Sequence, residues 1–166
     1  MKKQKGFSLI ELLIVVAIIL IIAAIAIPNL LRAKISANEA SAVGSMRSIV
    51  TAEVGYNAAG WANGTVPIGF SAALSDLGST SCNPPTATGA CFIDSVLANA
   101  TAPSTAKSGY YFTYVPTGGG PNSGFSLNGQ PATPGQTGNR YFFTDQSGVI
   151  RFNPSASATS TDNPLQ

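Results

Sequence analysis

From Leu12 to Ile27 the chain reads LLIVVAIILIIAAIAI, without one polar side chain. Taken from Phe7 to Leu31, the stretch exceeds the roughly 20 residues that a helix needs to cross a bilayer. It is apolar on every side, and near its start it carries a single carboxylate, Glu11. Pro28 removes one backbone donor and predicts a kink. Helical periodicity nevertheless continues. Leu31, Ile35, Ala40, Val43, Met46, Val50 and Val54 recur at spacings of mostly three and four, while Arg32, Lys34, Glu39, Arg47 and Glu53 fall mostly off that stripe. Gly60 is the expected stop. A helix from Phe7 to about Ala58 would run for roughly 75–80 Å at 1.5 Å per residue. Its first half needs a sleeve of lipid or protein, and its second half needs a domain to cover one face.

Beyond Gly60 the pattern breaks into short elements. FSAALSDLGS (Phe70 to Ser79) predicts a helical turn with Ser71 as its cap and Gly78 as its stop. CFIDSVLANAT predicts another turn. Strand signals follow at YYFTYV (Tyr110 to Val115), GFSLNG (Gly124 to Gly129), RYFFTD (Arg140 to Asp145) and VIRF (Val149 to Phe152). Gln146-Ser147-Gly148 joins the last two as a hairpin turn. An antiparallel sheet laid on Val43, Met46, Val50 and Val54 would bury both apolar faces. The tail NPSASATSTDNPLQ is low in complexity and reads as exposed. The fold class is therefore α+β: a long kinked helix, membrane-spanning in its first half and amphipathic in its second, packed on a small antiparallel head.

Composition narrows the chemistry. Charged residues make up 10% of the 166 positions, and the net charge of +2 is unevenly placed. Lys2, Lys3, Lys5, Arg32 and Lys34 bracket the apolar run, and the larger N-terminal cluster predicts a cytoplasmic N-terminus. Past residue 35, Glu39, Glu53, Asp76, Asp94, Asp145 and Asp162 outnumber Arg47, Lys107, Arg140 and Arg151. A slightly acidic head without a basic stripe argues against a nucleic-acid partner. The chain has no histidine, the commonest general base and metal ligand. No triad suggests itself among the many serines, and Gly118 to Gly120 lacks the spacing of a phosphate loop. No metal or other cofactor is expected. Asn63-Gly64-Thr65 and Asn99-Ala100-Thr101 match the N-glycosylation pattern, as chance allows in so Asn/Thr-rich a chain. Tyr110, Tyr111, Phe112, Tyr114, Tyr141, Phe142, Phe143 and Phe152 read as strand residues of the core rather than as an electron path. Cys82 and Cys91, an isolated pair behind a membrane signal, favour a disulfide over a metal site, which would want two further ligands.

Two plain readings compete for the N-terminal run. A cleavable secretory signal would use the Ala-x-Ala of Ala24 to Ala26, but an acid within its apolar region is unfavourable and the helix pattern continues past Pro28. A simple uncleaved anchor explains the length and leaves Glu11 without a reason. An ionisable residue inside a membrane helix costs about 2.5 kcal/mol or more and marks a functional position with a partner.

KGFSLIE (Lys5 to Glu11), followed by the apolar run and Pro28, closely resembles the leader and helix start of type IV pilins and pseudopilins. The motif covers about seven residues and the helix pattern about fifty. Further on, EASAVGSMRSIVTAEVGYNAA and GNRYFFTDQSGVIRFNP look like segments of pilins from Gram-negative soil bacteria. The resemblance implies a leader of residues 1–6 cut between Gly6 and Phe7 by a prepilin peptidase, and N-methylation of Phe7. It also implies an assembly helix over 7–31 with Glu11 and Pro28 as assembly residues, its amphipathic continuation over 32–60, and a head over 61–166. The implied product is a homopolymer, handled by pilus assembly machinery at the inner membrane and displayed outside the cell for adhesion, twitching motility or DNA uptake. A pseudopilin of a type II secretion system is the alternative. Many pilins place their cysteine pair near the C-terminus around a receptor-contacting loop. Here the pair is central, so no adhesin role is carried over to the tail.

The chemistry of the motif is sensible in itself. Gly6 lets a protease approach the backbone closely. Cleavage there would leave an α-amine on Phe7 four positions before Glu11, one helical turn away, or within reach of Glu11 on a staggered neighbour.

Overall fold

A computed structural model describes residues 7–79 and 82–165. The chain divides into two units, residues 1–34 and 35–166, and one helix, α1 (Leu9–Ala58), contributes to both.

In the first unit α1 stays helical through Pro28. Its apolar side chains lie open to the surroundings, from Leu9 at 76% exposure to Leu31 at 43%. It is the one helix among the described residues long and apolar enough to cross a membrane.

In the second unit the same helix is buried along one face. Ile35, Glu39, Ala42, Met46, Ile49, Glu53 and Tyr56 follow one another at alternating steps of four and three, and all are buried. This stripe differs in phase from the expected one. Ala40 is exposed, Val54 is 58% exposed, and Val50 is only half-buried. The correction follows from the two glutamates, which the sequence reading set outside the stripe because it scored them by polarity. The helix ends at Gly60, whose φ of +69° is the left-handed conformation that closes helices with little strain.

A two-stranded hairpin that was not anticipated comes next, β1 (Ala62–Asn63) with β2 (Val66–Pro67) around Gly64 and Thr65. The turn expected at Phe70 to Ser79 is a 3-10 turn at Leu74–Leu77 that stops at Gly78. Its N-cap is Ala73 rather than Ser71, because the Ser71 hydroxyl bonds to the core instead. The short helix α2 (Ser95–Ala98) is capped by Asp94, which accepts from the Leu97 N–H at 2.9 Å.

The main sheet is an antiparallel meander in the order β3 (Tyr110–Thr117), β4 (Gly124–Pro131), β5 (Tyr141–Asp145), β6 (Arg151–Asn153). Alternation turns Tyr110, Phe112, Phe125, Leu127 and Phe142 inward, where they form one core with Met46 and Ile49 of α1. Gly129 sits against Met46 of the helix. A Cβ there would lie 3.2 Å from Met46 Sδ and 3.3 Å from the Phe112 ring.

The C-terminal tail is exposed over most of its length, as expected, yet it is tied to the sheet. Phe152 N–H donates to the Asn163 carbonyl (3.1 Å) and Leu165 N–H to the Ile150 carbonyl (2.8 Å), while Ala158 is 2% exposed. The edge of β6 carries unpaired backbone groups, and the tail satisfies them whatever its composition.

Cys82 and Cys91 form a disulfide with a Cα–Cα distance of 5.8 Å. The Tyr56 hydroxyl donates to the Ala87 carbonyl within that loop at 2.7 Å, tying it to α1. Closing a loop of this size stabilises a fold by about 2–3 kcal/mol in the chain-entropy model. Cys82→Ser is expected to lower head stability by that order while leaving membrane insertion intact. Denaturant unfolding of the detergent-solubilised protein, followed through Trp61 fluorescence, measures the change, and thiol labelling of unreduced wild-type protein should find no free cysteine.

Candidate assembly helix and its anchoring carboxylates

Glu11 lies in the first turn of α1, exposed, and its Oε2 accepts the Ser8 N–H at 2.9 Å. Ser8-Leu9-Ile10-Glu11 has the spacing of a capping box, in which a glutamate reaches back to an N-terminal donor. A carboxylate in that turn also opposes the positive end of the helix dipole. Among the described residues Oε1 has no partner, so half of the carboxylate's acceptor capacity is open. Phe7 precedes the helix and is 79% exposed. Gly6 and the leader 1–6 lie outside the described residues. Pro28 is exposed within the helix, and the cysteine pair belongs to the head. The predicted residues thus do not converge on one cleft. Phe7 and Glu11 share the start of the helix, and the others occupy separate places.

The sequence reading missed two other carboxylates. Glu39, 6% exposed, accepts at Oε1 from the backbone N–H groups of Asn139 (2.9 Å) and Arg140 (3.1 Å), and at Oε2 from Arg140 Nε (2.8 Å). One nearly buried side chain gathers three donors where β5 begins, and they supply the hydrogen bonds that its own burial requires. Glu53 is fully buried, accepting the Ser71 N–H at 3.0 Å on Oε2 and the Ser71 hydroxyl on Oε1. The Tyr114 hydroxyl donates to the Ser71 carbonyl at 3.1 Å, and Asn122 Nδ2 donates to the same carbonyl at 3.2 Å. Glu53 therefore fastens the loop that follows β2 to the helix. Among the described residues no cation faces it. Burial pushes its pKa above the usual carboxylate value of 4.5, against the lowering effect of the Ser71 bonds. The signal that could have found both residues is phase. Glu39 and Glu53 sit two heptads apart on the line of Ile35, Ala42, Met46, Ile49 and Tyr56.

A family model described as the prokaryotic N-terminal methylation motif matches residues 1–27. The chain carries the N-terminal methylation motif. Over 39 residues it is 64% identical to the type IV wide pilus major component PilA4 of Thermus thermophilus, covering 24% of this chain and 30% of that one. Over 54 residues it is 43% identical to the type IV major pilin protein PilA of Myxococcus xanthus, covering 32% of this chain and 24% of that relative. The chain thus spans less than a third of the length of the relatives it matches. No solved structure matches it. The likeness rests on the pilin-type N-terminal segment, whereas the anchoring by Glu39 and Glu53 is read from this chain's own head.

Because the pKa of Glu53 is raised in the fold, the native state holds its proton more tightly than the unfolded chain does. The stability this contributes is complete below pH 4.5 and is lost as pH rises towards the folded-state value. Glu53→Gln, neutral at every pH, should flatten the decline in unfolding midpoint above pH 4.5 and shift stability at pH 7 by no more than about 1 kcal/mol. Glu53→Ala leaves the Ser71 donors buried and unpaired and should cost about 2–4 kcal/mol. Denaturation midpoints from pH 4.5 to 8 test both, and equal slopes for wild type and Glu53→Gln would assign the pH dependence elsewhere.

Proposed function

We propose that this protein is a structural subunit of a type IV pilus, made as an inner-membrane precursor with a cytoplasmic N-terminus and polymerised through its N-terminal helix. The observation that carries the proposal is the start of α1. A lone, half-satisfied carboxylate opens a helix that is apolar on all sides and uncovered, within a segment that matches the N-terminal methylation motif. Both relatives are named as pilus components, which favours a pilus over a secretion pseudopilin. In this reading prepilin peptidase cuts between Gly6 and Phe7, the amine of Phe7 is methylated, and the assembly machinery stacks the helices of successive subunits into a filament for adhesion, twitching motility or DNA uptake.

The proposal gives Glu11 its reason. Inside a bilayer or a bundle of helices, both an ionised carboxylate and an ammonium are costly. The open Oε1 of one subunit and the Phe7 amine of the next remove both costs together, provided that the stagger between subunits is correct. Removing one partner leaves the other charge uncompensated, at a cost of roughly 3–5 kcal/mol for a buried pair. Glu11 then acts as a register device.

Two outcomes are expected. Mass spectrometry of the mature protein should find a chain that begins at a methylated Phe7; a start after Ala26 or an intact Met1 contradicts the processing. Glu11→Ala and Glu11→Gln should reach the membrane with a folded head and yield few filaments, and Glu11→Asp should be intermediate. Normal filament number and length in Glu11→Ala cells, counted by electron microscopy, would remove the register role.

A further inference from the structure

Two ion pairs form in the head, and most of its other charged groups are held by neutral partners. Arg140 meets Glu39 and Lys107 meets Asp94, each at 2.8 Å. Arg151 donates to the Asp162 carbonyl at 2.8 Å, and the Asp162 carboxylate is held by Thr159 and Asn153. Glu53 and Asp76 serve donors at Ser71 and Ala73. Among the described residues this leaves the guanidinium of Arg47, exposed on α1, with no hydrogen-bond or ion-pair partner. It also leaves Asp145 without a cation, its carboxylate accepting one backbone N–H from Ser147 at 2.9 Å.

Each leftover charge has apolar surface beside it. Arg47 lines an open groove of about 400 Å³ together with Ser48, Thr51, Ala52 and Phe92. Phe92 is 45% exposed, which is unusual for an aromatic side chain with a core nearby. Its position is built. The preceding Cys91 is held by the disulfide, the Phe92 N–H donates to the Leu77 carbonyl at 2.8 Å, and the ring lies where a Cβ on Gly55 would be 3.3 Å away. Asp145 opens the turn between β5 and β6. Gln146, Ser147 and Gly148 of that turn are exposed, and Val149 is 40% exposed. A cation beside an apolar wall, and an anion beside an exposed valine, are complementary in charge and character.

The groove and the turn are unlike patches, and among the described residues no ion pair or hydrogen bond joins Arg47 to Asp145 within one copy. The turn lies beside α1 at Val50, where a Cβ on Gly148 would be 3.6 Å from Cγ1, and the groove runs along Ser48, Thr51 and Ala52. A contact between unlike patches is heterologous, and such contacts propagate into open polymers.

We propose that the groove beside Phe92 receives the β5–β6 turn of a second copy, with Arg47 of one subunit paired to Asp145 of the next and Val149 seated on Phe92. The inference rests on the pilus reading and adds to it a contact between heads. It also assigns the disulfide loop a role in assembly, because that loop presents Phe92.

The test is a charge exchange in the full-length protein, expressed in cells that lack their own copy. Arg47→Asp and Asp145→Arg should each lower the sheared filament yield by about tenfold or more at unchanged membrane level, and the double variant should recover most of it. As a second measurement, Ser48→Cys combined with Ser147→Cys should give a ladder of multimers when assembled filaments meet a short bismaleimide. Single variants that assemble like wild type, a double variant no better than either single, or monomer alone after cross-linking overturns the contact and leaves the groove to an occupant other than a second copy. Glu11→Ala run alongside separates the two readings. If it loses filaments while Arg47→Asp keeps them, the pilus reading stands and the groove contact falls. If the wild-type protein is absent from sheared filaments by mass spectrometry, the pilus reading itself falls.

Discussion

A buried carboxylate is tolerated only where enough donors converge on it, and that constraint organises the head. Glu39 and Glu53 occupy two positions of the helix face that also carries Ile35, Met46, Ile49 and Tyr56. Neither can enter the core unless loops far along the chain bring N–H groups to it. The strand entry at Asn139–Arg140 comes to Glu39, and the loop at Ser71 comes to Glu53. The donors gain acceptors that water no longer supplies, and the acids gain the only solvation available to them. Leu127, Phe112 and Phe142 supply nondirectional burial against Met46 and Ile49. The two acids supply direction, since a shift of the helix by one turn would strand both.

The first unit obeys the opposite condition. From Leu12 to Ile27 α1 carries nothing that asks for a specific donor, and nothing among the described residues covers it. Burial there can come from lipid or from other copies, and neither demands a unique register. In the proposed filament, a single carboxylate whose second oxygen is open would supply register to such a surface. The same chemistry would serve twice in that filament: internal donors fix the head on its helix, and a donor from the next subunit would fix subunit on subunit.

Much of this was legible from residue order. The helix, its end near Ala58 with Gly60 beyond, four strands close to their observed bounds and a helical turn within CFIDSVLANAT all follow from period, turn residues and propensity, which act over a few neighbours. The elements that were misread have one cause in common. Ser71 has the composition of a cap, but its hydroxyl goes to Glu53, distant in sequence. The tail after Phe152 is mostly exposed, as its composition predicts, but its hydrogen bonds through Asn163 and Leu165 to the open edge by β6 were not foreseen. In both cases a backbone or side-chain group found a partner that local pattern does not display.

The sequence by itself determined where α1 is uniformly apolar, where it is amphipathic, and that Glu11 stands alone at its start, because periodicity and membrane length are properties of consecutive residues. Only the tertiary structure decided which face of the second half is buried. Polarity placed Glu39 and Glu53 outside, and three-dimensional hydrogen bonding placed them inside. The free energy of a buried charge depends on donors brought from Ser71 and from Asn139–Arg140, and no window along the chain contains both ends of those contacts.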